Sequence, residues 1–81
     1  MLQVTIVTTP DNSWEETGRE VMNFVQRYTN YKCKVGKSIV GVDVEIEDAL
    51  LWSEASHLIS TFQTVLRNKG MEVVILSVKF A

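Results

Sequence analysis

Apolar and polar residues alternate with period two over residues 2–8, where Leu2, Val4 and Ile6 are separated by Gln3 and Thr5. The run is rich in β-branched side chains, so it predicts a strand with one face buried. Pro10, Asp11 and Asn12 break the pattern, and Ser13 followed three residues later by Glu16 is a capping box that opens a helix at Trp14. From there Trp14, Gly18, Val21, Met22, Val25 and Tyr28 recur with a period near 3.6, giving one apolar stripe. Glu15 and Glu16 fall at the positive end of this helix and Arg27 at its negative end, where such charges are stabilising.

The alternation returns over residues 31–47. Tyr31, Cys33 and Val35 interleave with Lys32 and Lys34, and Val40, Val42, Val44 and Ile46 interleave with Gly41, Asp43, Glu45 and Glu47. Gly36-Lys37 between them predicts a tight turn, and hence a hairpin with one apolar and one charged face. A second helix runs within residues 48–69 on the stripe Leu51, Ala55, Leu58, Ile59, Phe62, Val65 and Leu66, with Asp48 and Ser53 as alternative caps and Gly70 as its stop. Residues 71–80 form the last and most apolar strand. The order is βαββαβ, over residues 1–81 as a single α+β domain. Short, right-handed connections pack this order most simply as a ferredoxin-like sandwich: a four-stranded antiparallel sheet in the order 4-1-3-2, with two helices on one face.

Composition narrows the classes of function. At 46% apolar residues the chain is too hydrophobic to remain disordered. A formal charge of −2 gives no overall attraction to nucleic acid or anionic lipid. A single Cys cannot form an internal disulfide and favours a reducing compartment. With no long apolar run and no basic leader pattern, the expectation is a cytoplasmic protein without a membrane segment.

Each candidate for chemistry has a structural explanation to set beside it. Gly36-Lys37-Ser38 looks like the end of a phosphate-binding loop, but Tyr31 stands where that loop needs Gly, and the segment joins two strands. His57 is the lone imidazole, on the polar side of its helix, and Cys33 falls on the apolar side of its strand, where a free thiol acts as a small hydrophobe. Asp43 and Glu45 lie about 7 Å apart on one sheet face, the spacing of alternate strand residues, and Lys32 and Lys34 offer them cross-strand ion pairs. The polar loop Thr8-Thr9-Pro10-Asp11-Asn12-Ser13 precedes a helix N-terminus, where its natural role is capping. No catalytic, metal or cofactor residues are assigned, and the chain reads as a non-enzyme.

Val44-Glu45-Ile46-Glu47-Asp48-Ala49 resembles the passage from third strand to second helix in RNA-recognition-motif domains. Such domains stack bases on aromatic residues of their first and third strands. Here the outward positions are Gln3, Thr5 and Val7, and then Ile39, Gly41, Asp43 and Glu45, so the resemblance implies the strand order and not the RNA function. The segment from Val4 to Val25, with Pro10-Asp11 in its turn, is similar to amino-acid-binding ACT domains, without the Gly of their ligand loop.

The positive signal is apolar surface in excess. In the last strand Met71, Val73 and Ile75 belong to one alternate set, and Glu72, Val74, Leu76, Val78 and Phe80 to the other. Assigning the second set to the core places Met71, Val73 and Ile75 on the open sheet face, where with Val7 and Ile39 they make a protein-interaction patch. The leading expectation is a regulatory interaction protein that self-associates, as a homodimer or a higher oligomer, and binds a macromolecule, most simply a protein. On size alone, an accessory inhibitor of the kind viruses encode would fit. The alternatives are a nucleic-acid binder using Arg27, Lys32, Lys34 and Lys37, and a small-ligand sensor at a dimer interface.

Overall fold

Ser13 opens the first helix as its spacing predicts: its Oγ accepts the Glu16 N–H at 3.0 Å. In the computed structural model, which describes residues 1–9 and 13–81, the elements are β1 (Leu2–Thr8), α1 (Trp14–Tyr28), β2 (Cys33–Lys37), β3 (Gly41–Ile46), α2 (Trp52–Asn68) and β4 (Val73–Phe80). The turn expected at Pro10, Asp11 and Asn12 lies outside the described residues. All strand pairs are antiparallel in the order β2-β3-β1-β4, which is the expected 4-1-3-2 read from the other edge. The ferredoxin-like layout stands.

The helix-side face of the sheet carries the core. Leu2, Val4 and Ile6 of β1 and Val42, Val44 and Ile46 of β3 are fully buried beneath Val21 and Val25 of α1 and Ala55, Leu58, Phe62 and Leu66 of α2. Phe24 of α1 meets Phe62 of α2 edge to face, with ring centroids 6.1 Å apart, a geometry that aromatic quadrupoles favour. α1 packs on β2 at Gly18, where a Cβ would come to 3.4 Å from a Val35 methyl, the near limit of ordinary contact. One buried group breaks the apolar rule. The Thr17 side chain is wholly enclosed, and its hydroxyl has no hydrogen-bond partner among the described residues.

Two boundaries and the phase of one strand differ from expectation, each for a physical reason. The hairpin turns at residues 38–40, not at Gly36-Lys37, because Ser38 Oγ accepts the N–H groups of Val40 (3.2 Å) and Gly41 (3.1 Å) while its own N–H donates to the Gly41 carbonyl at 3.0 Å. A hydroxyl that closes its own turn outweighs the glycine pair, and Val40 is left exposed instead of in the core. The second helix uses neither Asp48 nor Ser53 as its cap. Leu51 holds that place, its N–H donating to Glu54 Oε1 at 2.9 Å, whereas Asp48 Oδ2 accepts the Lys32 N–H at 2.7 Å and ties the start of β2 to the end of β3. At the far end α2 stops as the Gly70 pattern predicts. Gly70, at φ 80°, donates to Arg67 O (2.9 Å) and Met71 to Leu66 O (3.0 Å), the paired bonds of a Schellman motif with Met71 and Leu66 in its apolar contact.

The third difference matters most for function. Met71, Val73 and Ile75, expected on the open face, turn toward the helices: Met71 and Val73 are buried and Ile75 is half-buried against the core. Val74 and Leu76, expected inside, are 61% and 59% exposed. The cause is a bulge. Thr5 is opposite Ser77 and Ile6 is opposite Ile75, which leaves Leu76 as an extra residue on β4. One extra residue reverses the alternation, so Val78 and Phe80 share the helix side with Val73 and Ile75 rather than with Val74 and Leu76.

Candidate interaction face

The registers set the open face into rows that cross the sheet. At one end Lys34, Glu45, Gln3 and Lys79 stand side by side on β2, β3, β1 and β4, and the next row is Gly36, Asp43, Thr5 and Ser77. Beyond these lie Gly41, Val7 and Val74, with Leu76 projecting beside them from the bulge. The face is therefore polar at one end and apolar at the other. In its middle the Thr5 hydroxyl donates to Asp43 Oδ1 at 2.8 Å.

Of the five residues expected in the patch, Val7 lies on the open face beside Val74. Ile39 is fully exposed, but in the 38–40 turn rather than on a strand. That turn adjoins the Val7 end of the sheet, since Thr8 N–H donates to Val40 O at 3.2 Å. Ile39, Val40, Val7, Val74 and Leu76 thus gather at one end, and a shallow recess lined by Val7, Thr9, Arg67, Glu72, Val73 and Val74 continues toward the edge.

A second exposed apolar cluster escaped the sequence reading. Leu51 and Trp52 at the start of α2 are exposed, and the Trp52 ring meets Phe80 at 5.8 Å between centroids. A signal for it was present in the sequence: Trp52 lies off the apolar stripe of its helix. Leu51, counted in that stripe, instead caps the helix outside the core.

The bases do not form a stripe. Arg27 is in the last turn of α1, and Lys34 and Lys37 point to opposite faces of β2, being opposite Glu45 and the buried Val42. Lys34 is paired with Glu47 at 3.0 Å, two residues beyond Glu45, which stands opposite it, rather than with the Asp43 and Glu45 partners expected for it. That hydrogen bond holds the Lys34 ammonium above its ordinary pKa. Cys33 faces the helices and packs against the core, and burial pushes its thiol from 9.0 to about 11. His57 is exposed on α2, in a groove with Tyr28, Tyr31 and Glu54. Among the described residues, no three His, Cys, Asp or Glu side chains gather as a metal site needs. No described helix is long and apolar enough to cross a membrane.

Set against known proteins, the chain matches no family model, no curated protein and no solved structure. Its functional reading therefore rests on this geometry.

Proposed function

We propose that this chain is a non-enzymatic interaction protein that self-associates and binds a protein partner through the apolar end of its open sheet face. The observation that carries the reading is the exposure of Val74 and Leu76 beside Val7 on a sheet face that no described element covers. A solvated sheet face ordinarily alternates to polar side chains, and a contiguous apolar band rimmed by polar residues is what a protein-binding surface presents. Nucleic acid is disfavoured by the scattered bases and by Asp43 and Glu45 among them on the open face. Base stacking has no platform there, because Gln3, Thr5, Val7, Gly41, Asp43 and Glu45 are not aromatic.

Sedimentation velocity over a concentration series tests self-association. The wild type is expected to move above its 9.2 kDa monomer mass as concentration rises, and Leu76→Lys to weaken that shift while keeping the far-ultraviolet circular dichroism. A wild type that stays monomeric throughout would remove self-association from the reading.

A further inference from the structure

Among the described residues β2 and β4 are the two edges of the sheet, and the chain guards them unequally. Lys34 and Lys37 lie on β2, with Lys32 just before it, and lysines on an edge discourage the addition of another strand. β4 has eight residues and no charge before Lys79, and the exposed Trp52 and Phe80 stand at its end.

The backbone of β4 indicates what can add to it. Met1 and Ala81 exchange N–H to carbonyl bonds at 2.9 and 2.8 Å, so by alternation Lys79 and Ser77 turn their amides to β1 while Phe80 and Val78 turn theirs outward. Beyond the bulge the Thr8 N–H points to β3, so Val7 and its opposite residue Val74 pair with each other and Val73 and Ile75 face outward. The outward set is thus Val73, Ile75, Val78 and Phe80, with spacings of two, three and two. A regular strand offers spacings of two throughout and cannot meet all four. An antiparallel copy of β4 can, because the sequence of spacings reads the same in both directions.

We propose that β4 pairs antiparallel with the β4 of a second copy about a two-fold axis between Leu76 and Ser77, joining two sheets into one. Val73 of one copy then stands opposite Phe80 of the other and Ile75 opposite Val78, each pair exchanging two backbone hydrogen bonds. Facing directions agree along the whole strand, since Val74 meets Lys79 and Leu76 meets Ser77 on the open side. The charges select the antiparallel sense. Glu72 and Lys79 flank β4 at opposite ends, so this register sets Glu72 of each copy diagonally beside Lys79 of the other, whereas a parallel copy would set like beside like. The inference rests on the self-association reading but places that contact along the β4 edge, with Leu76 at the axis, and leaves Val7, Ile39, Val40 and Val74 at the apolar end of the open face for the protein partner.

Disulfide trapping in a Cys33→Ser background tests it. Residue 77 lies next to the axis, so Ser77→Cys is expected to oxidise to a covalent dimer. Val74→Cys is displaced from its symmetry mate by about five residue steps, roughly 17 Å, beyond the ~7 Å span of a disulfide, and is expected to remain uncoupled. Lys79→Glu should weaken sedimentation-measured association about tenfold, two diagonal pairs being lost, and Glu72→Lys in the same chain should restore it. If the wild type sediments as a dimer but Ser77→Cys does not couple, or Val74→Cys couples as well, the edge register is wrong while self-association stands. A wild type monomeric at every concentration overturns both.

Discussion

Replacing Val73 or Val74 by Asp makes the same chemical change at adjacent residues on opposite faces of β4. Val73 is 4% exposed and Val74 61% exposed. Removing the Val73 side chain from the core forfeits about 1.5–3 kcal/mol of apolar burial, and seating a carboxylate in its place adds several kcal/mol of desolvation. Set against the ~4–12 kcal/mol that roughly 0.05–0.15 kcal/mol per residue gives an 81-residue domain, the sum removes most or all of the folded state. Val74→Asp meets water, so its cost is the poor strand preference of Asp, up to about 1 kcal/mol. With a urea slope near 1 kcal/mol/M for a domain of this size, Val74→Asp should lower the midpoint by less than about 1 M, and Val73→Asp should leave little cooperative transition. Urea titration followed by the fluorescence of Trp14 and Trp52 reads both. The reverse ranking would refute the bulge, because only an unbroken alternation through residues 71–80 buries Val74 and exposes Val73.

Thr17→Val keeps the buried shape and removes a hydroxyl without a partner, so it should stabilise by about 1 kcal/mol and raise the melting midpoint by about 4–8 °C; a lower midpoint would mean that the hydroxyl is hydrogen-bonded in solution. Cys33 gives stability a pH dependence of defined sign. Its thiol is held near 11 in the fold against an ordinary 9.0, so between those values the unfolded chain loses a proton that the folded chain keeps. The contribution is complete below pH 9 and declines as pH rises through 11. Urea midpoints at pH 8 and pH 10.5 should fall further for the wild type than for Cys33→Val, and equal falls would contradict burial as the cause.

Sequence periodicity carried the architecture because each element announces itself within a few residues: Ser13 with Glu16, the α2 stripe, Gly70, and the Val-rich alternation of β3. What it could not carry depends on partners distant in the chain. The phase of β4 is fixed by residues 2–8, more than sixty positions away, and nothing within residues 71–80 shows that Leu76 is the extra residue opposite β1. Similarly, Asp48 looks like a helix cap until the fold brings the Lys32 amide to it. The candidate site inherited the phase error, which is why Val7 kept its face while Met71, Val73 and Ile75 exchanged theirs with Val74 and Leu76. Ile39 was legible as exposed, but not as a turn residue, because the Ser38 hydroxyl that makes the turn competes with an equally plausible glycine pair.

Gly41 has a consequence for how this chain can diverge over generations. It sits where β3 meets β1, and a Cβ built there would collide with the Ile6 carbonyl oxygen and lie 2.8 Å from the Thr8 amide nitrogen. Both are main-chain atoms of the central strand, which cannot swing aside as a side chain can. A buried valine can drift to isoleucine or leucine with compensating changes nearby, so the core admits many inherited solutions. No substitution elsewhere makes room in a neighbouring backbone. Any lineage that keeps this sheet will therefore carry glycine at position 41 long after its hydrophobic residues have been exchanged.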